Sequence, residues 1–291
     1  MKLSYFYEQA VKFGRKHDPR KKTHIDSYPD TALLYGNPNL DVEKILVGID
    51  IEASELLLAD RIRQKNRLDL VVSHHPEGRA YAALSEVMKL QVDLLEDMGV
   101  SREVAQKLLD ERRQEVQRRV LPQNHTRPVD CARLLGLPFM CIHTPADNHA
   151  FWFISRLMQI RKPKKVQDIV DILMGIDEYK IADKGLTGPR IILGSPRRPV
   201  GKILVEMTGG TEGSKDVFDK LYKAGVRTLI SMHLSEEHFK KVKEANLNVV
   251  IAGHISSDTL GLNLLLDNVE RAAGQAFQVI SCSGFNRVKR R

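Results

Sequence analysis

The sequence predicts an α/β fold in two lobes, with strands and helices in layers, and three observations carry that prediction. Short β-branched runs alternate with longer amphipathic stretches. A connector over residues 162–194, holding one helix at 166–175, separates two groups of strands. Three strand-like runs lead straight into histidine-bearing motifs. That is where a ligand crevice lies in an open α/β sheet, at the carboxyl ends of the strands.

In chain order, strands are expected at 44–49 (KILVGI), 68–73 (LDLVVS), 137–142 (LPFMCI) and 190–194 (RIILG). Four more follow at 202–207 (KILVEM), 226–232 (VRTLISM), 247–252 (LNVVIA) and 276–281 (AFQVIS). Helices fill the gaps at 54–65, 213–223 and 236–245, the second with Val217, Phe218 and Leu221 on one face. A long helical stretch from Ala80 to about Arg119 breaks at Gly99–Val100, where Ser101 reads as an N-cap. It forms a helical insertion over about 80–133, so the chain divides into a first lobe at 1–160 and a second at 161–291. No internal repeat or low-complexity segment is legible.

Composition narrows the function classes. With 42% hydrophobic and 28% charged residues the chain is globular. No apolar run approaches the length of a membrane span, and charges interrupt the first residues where a secretory core would be unbroken. Cys131, Cys141 and Cys282 have no CxxC spacing and cannot all pair, which fits buried thiols in a reducing cytoplasm. Lys and Arg exceed Asp and Glu by 45 to 37, a net +8 spread over runs such as 15–22, 161–165 and 287–291. Such a field attracts anionic ligands or nucleic acid, although no nucleic-acid motif accompanies it and solvated basic faces are the commoner explanation.

The chemistry concentrates in three motifs: His74–His75–Pro76, His143–Thr144–Pro145–Ala146–Asp147, and His254–Ile255–Ser256–Ser257–Asp258. Imidazole with carboxylate suits zinc, iron, manganese or nickel. A lone histidine is more often structural, but three motifs at three strand ends are hard to explain that way. Three histidines and two aspartates exceed what one catalytic ion needs, and a carboxylate can bridge two, so the set His74, His75, Asp147, His254 and Asp258 suggests a dinuclear site. Adjacent histidines leaving a strand point to opposite sides and can serve different ions. His143 is weaker, being as well suited to orienting Asp147. His149, His233 and His238 are candidates for contacting the ligands or a substrate, and His24 and His125 read as surface residues. Asp50, ending the first expected strand, is a candidate general base or a helix cap. Thr208–Gly213 (TGGTEG) could offer backbone N–H groups to a phosphate but reads more readily as a plain turn.

These residues resemble a known family. The His-His-Pro, HTxxD and late AGH motif with an acid four residues on look like the Nif-three-like proteins, also known as GTP cyclohydrolase I type 2 homologues. Matching blocks cover about 44–78, 137–149 and 190–266. The resemblance implies a two-lobed α/β fold with two divalent ions per chain between the lobes, held by His74, His75, Asp147, His254 and Asp258, and a ring-shaped homo-oligomer. Two departures stand out: Asp258 replaces the family's usual Glu, and the insertion at about 80–133 is unusually long, so that it is expected to cover the site or join subunits.

The function expected is that of a metal-dependent hydrolase acting on an anionic, nucleotide-like substrate, with Asp50 or His233 moving protons. Its rivals are a non-catalytic metal-binding or interaction protein, and a nucleic-acid binder that needs no metal.

Overall fold

The computed structural model describes residues 1–20 and 24–290; Lys21, Lys22 and Arg291 of the basic runs lie outside the described residues. Among the described residues nine strands form two mixed sheets. They are β1 (Ala32–Tyr35), β2 (Lys44–Gly48), β3 (Leu70–Ser73), β4 (Phe139–Cys141), β5 (Arg190–Leu193), β6 (Lys202–Glu206), β7 (Val226–Ser231), β8 (Asn248–Ile251) and β9 (Gln278–Cys282). The first sheet runs β1-β4-β3-β2-β9 and the second β5-β8-β7-β6. In each, one antiparallel edge strand (β1 or β5) flanks a parallel set.

Eight strands fall where the β-branched runs place them, and β1 is the addition. Its four residues, ALLY, are mostly half-exposed and too short to stand out as a pattern. The lobes do not divide at 160/161. The chain leaves the first sheet, builds the second, and returns through helix His254–Ala273 to lay β9 beside β2.

The two sheets repeat one plan, β1-β4-β3-β2 matching β5-β8-β7-β6. Register supports the match, since Gly48 faces Ser73 at the end of one strand pair and Glu206 faces Ser231 at the end of the other. The strands that open the parallel sets even share the letters KILV, at 44–47 and 202–205.

Alternating residues on each strand serve opposite faces. Ile45, Val47, Leu70, Val72 and Met140 face the helices Leu3–Lys16 and His254–Ala273, through Leu3, Phe6, Leu262 and Leu266. Leu46, Val71 and Phe139 face outward onto Leu56, Ala59 and Ala132 of helices Ala53–Arg63 and Arg127–Leu135. Across the middle, Val205, Ile230 and Val250 of the second sheet meet Ala150, Ile154 and Met158 of helix Thr144–Arg161. Two long helices, Thr144–Arg161 and His254–Ala273, therefore lie between the sheets, and their N-termini lie at the strand ends that carry the motifs.

The insertion is a series of helices with more breaks than the one at Gly99–Val100: Gly78–Ala82, Leu84–Val87, Leu90–Asp97, Arg102–Val120 and Arg127–Leu135. Ser101 caps the longest, its Oγ accepting from the Val104 N–H at 3.4 Å. Although it emerges from the first sheet, its Met88, Val92, Ala105, Leu109 and Val116 pack with Leu204, Leu229 and Val249 on the outer face of the second. It thus completes the second lobe's core. No helix among the described residues is long and apolar enough to cross a membrane.

Candidate metal centre

The ladder between β2 and β3 continues past the strand ends, with His74 N–H donating to Gly48 O and His75 N–H to Ile49 O, both at 2.9 Å. Ser73 Oγ donates to His75 O at 2.8 Å and fixes the turn that follows. The two imidazoles are thereby held on a rigid backbone. Asp147 sits in the first turn of helix Thr144–Arg161, where the N-terminal dipole favours a carboxylate, and Asp258 follows the first turn of helix His254–Ala273. These helices cross tightly. A Cβ on Gly261 would collide with the backbone carbonyl of Ala146, so glycine there lets Asp258 and Asp147 reach the same space.

Each of three imidazoles is oriented by a hydrogen bond from Nδ1. His74 donates to Ile142 O at 3.1 Å, His75 to Asp50 Oδ1 at 2.6 Å and His143 to Asp30 Oδ2 at 2.8 Å. With the proton on Nδ1, the Nε2 lone pair is left for a cation. Those Nε2 atoms converge on the carboxylates. His74 Nε2 lies 3.3 Å from Asp147 Oδ1 and 3.5 Å from Asp258 Oδ1. His75 and His254 each place Nε2 3.5 Å from Asp258 Oδ2. His143 Nε2 is 3.7 Å from Asp147 Oδ2.

Buried polar atoms are normally paired. Here His74 Nε2, Asp147 Oδ1 and Asp258 Oδ2 are buried with no hydrogen-bond partner. Their neighbours form three overlapping triads whose ligand atoms lie within 4.8 Å of one another: His74/His75/His143, His75/His254/Asp258 and His74/Asp147/Asp258. Orphaned atoms of complementary chemistry in one place fit a site that could hold metal ions.

Without a cation, protons take its place. Burial opposes charge on His74, yet Asp258 and Asp147 push its pKa up to about 10. Burial likewise opposes charge on His75, and Asp258 with Asp50 raise it to about 9. Asp258, for all its burial, is held well below the usual carboxylate range by His74 and His75. Burial lowers His254 despite Asp258 beside it.

All five expected ligands thus meet in one cluster, and His143 joins them through the first triad. Asp50 hydrogen-bonds His75 rather than standing free. His233 stands at the rim, 44% exposed in its side chain, with its ring 4.7 Å from that of His254 and Nδ1 3.6 Å from Glu212 Oε1. Both line a cleft of about 370 Å³ that also exposes His75, His143 and His254. His149 and His238 are structural: the first donates Nδ1 to Pro145 O, and the second bonds Ser235 Oγ and Gly213 O. The TGGTEG turn lines the cleft and is pinned through its carbonyls by the insertion, whose Gln91 Nε2 donates to Gly209 O at 2.9 Å and Thr211 O at 2.7 Å. Gly209 and Gly210 have φ of +110° and +83°, a backbone that side chains rarely adopt.

Asp30 was not foreseen. It is fully buried and accepts from His143 Nδ1 and the Thr144 hydroxyl, the latter at 2.6 Å. It lies just before β1, the strand that leaves little trace in the sequence, so nothing there marked it.

Fold and site together define an α/β protein of two like sheets with a buried histidine–carboxylate centre between them. No family model matches the chain, and no curated protein matches it in sequence. Solved structures do. A NIF3 superfamily protein from Sphaerobacter thermophilus is 29% identical, covers 95% of this chain and 98% of its own, and superposes with a TM-score of 0.81. Reduced HcgD from Methanocaldococcus jannaschii, at 14% identity and 97% of both chains, has a TM-score of 0.55. A protein from Thermus thermophilus, also at 14% identity and 97% of both chains, has a TM-score of 0.51. The chain is thus similar to a NIF3 superfamily protein over nearly its whole length, which supports a Nif3-like family.

Proposed function

We propose that this protein binds two divalent metal ions and uses them to hydrolyse an anionic, nucleotide-like substrate. The observation that carries the reading is the Asp258 carboxylate. It is 1% exposed, with Oδ1 turned to His74 and Oδ2 to His75 and His254, the disposition of a bridging ligand. His74 and Asp147 would hold one ion and His75 and His254 the other. A pair of divalent ions supplies an activated water and polarises the bond to be cut. Asp50 and Asp30 keep the rings of His75 and His143 aimed inward. His233, at the cleft with Glu212 behind it raising its pKa, would carry a proton. The net charge of +8 favours an anionic substrate.

The test is metal content by plasma emission on untagged protein purified without added metal, for wild type and Asp258→Ala. About two ions per chain, reduced in the variant, is the expected result. The metal-loaded protein is then assayed against phosphate esters and cyclic amides. No metal after reconstitution rejects the centre. Full metal with no turnover rejects the hydrolase and leaves a non-catalytic metal-binding protein.

A further inference from the structure

A second cavity, of about 680 Å³, lies away from the metal centre, where the first lobe, the second sheet and the insertion meet. One wall is the face of helix Thr144–Arg161 that carries Phe151, Trp152, Ser155 and Arg156. Another is the end of helix Leu3–Lys16 with His17, and the remaining walls are Leu94 and Met98 of the insertion and Ile203–Val205 of β6. The size is that of a small-molecule site.

Its lining has two characters. Trp152, the only tryptophan in the chain, is 45% exposed and stacks on His17 with ring centroids 4.3 Å apart at 30°. An exposed tryptophan held flat by a neighbouring ring presents a ready stacking face. His17 Nδ1 is buried and has no hydrogen-bond partner, so a polar atom at this wall is left unsatisfied. Around the rim stand Lys16, Arg156 and Lys162, none with an ion-pair partner among the described residues. On the acidic side, Asp18 is already bonded to Arg20, Tyr28 and Asn148. Asp97, the other acid of the lining, has its own interaction. An aromatic platform, an apolar floor and three unpaired cations call for a flat ring that carries negative charge.

We propose that this cavity is a binding site for a mononucleotide, its base stacked on Trp152 and its phosphate held by Lys16, Arg156 and Lys162. The site is separate from the metal centre and needs no metal, so it stands whether or not the hydrolase reading does.

The test is titration of the full chain, with and without chelator, with adenosine and guanosine 5′-monophosphates, the unphosphorylated nucleosides and inorganic phosphate. Calorimetry and Trp152 fluorescence are the readouts. Expected are saturable quenching by a mononucleotide that survives chelation and Asp258→Ala, and a dissociation constant raised roughly tenfold or more by Arg156→Gln and by Trp152→Ala. Trp152→Phe, which keeps a stacking face, should bind more tightly than Trp152→Ala, and this separates lost stacking from lost folding. Three results overturn the proposal. They are no binding at millimolar nucleotide, binding abolished by chelation or by Asp258→Ala (which would put the nucleotide on the metals), and binding of inorganic phosphate as tight as of the nucleotide.

Discussion

Histidine protonation is the first thing the centre controls. In the metal-free protein His74 and His75 have pKa values raised to about 10 and about 9, so both are charged near neutral pH. Metal must displace those protons. Uptake at pH 7 should therefore release protons, measured as a dependence of the calorimetric heat on the ionisation enthalpy of the buffer; identical heats in every buffer would contradict this. The same shifts set the stability of the metal-free fold. A raised folded pKa contributes stability that is complete below the unfolded value of about 6.5 and is lost as pH rises through the folded one. Chelated protein should therefore lose thermal stability between neutral pH and pH 10, in a window where His74→Gln is flatter. The residues that gather in the cluster were legible from histidines at strand ends. Asp30 and the orphaned lone pairs were not, because they are properties of what surrounds a side chain.

Among the elements, the insertion matters most for the shape of the cleft. Gln91 is buried and its amide satisfies two carbonyls of the TGGTEG turn, which carries Glu212 behind His233. Gln91→Leu leaves Thr211 O without its donor and Gly209 O with only the Thr211 N–H at 3.0 Å, at a cost of about 1–3 kcal/mol if the Thr211 carbonyl stays buried. The midpoint of denaturant unfolding should fall accordingly, and His233 should titrate nearer its ordinary value by NMR as Glu212 shifts. An unchanged midpoint would mean the turn holds itself. The sequence marked this insertion as helical and found Ser101, but its expected roles, cover or subunit contact, left out the second sheet it packs against. Helices Thr144–Arg161 and His254–Ala273 were hard to read for a related reason. Sandwiched between sheets, they are buried on several sides, with Ser256, Ser257, Thr259 and Asn263 inside as well as leucines, so no polar face marks their period.

On the scale of the whole molecule, the cluster draws its side chains from the ends of both sheets: His74, His75 and Asp147 from the first, His254 and Asp258 from the second. Bound metal would staple the lobes together. At free metal about a hundredfold above its dissociation constant, binding adds about 2.7 kcal/mol to stability. Chelation should lower the melting temperature by several degrees in wild type and change it little in Asp258→Ala. Equal shifts in the two would place the stabilising metal elsewhere. The doubled plan went unread in the sequence because only KILV survives as shared letters, while strand order and register carry the rest.

That doubling has a consequence for how the work is divided. Ser73 and Ser231 hold the same place in the two registers, and each hydroxyl bonds the carbonyl two residues on, at His75 and at His233. Between them, however, His74 in one half is answered by Met232 in the other. A symmetric frame is thus put to unequal use. One half gives both positions to the histidine–carboxylate cluster, whereas the other fills its inner position with an apolar side chain and sets its outer histidine at the rim of the cleft.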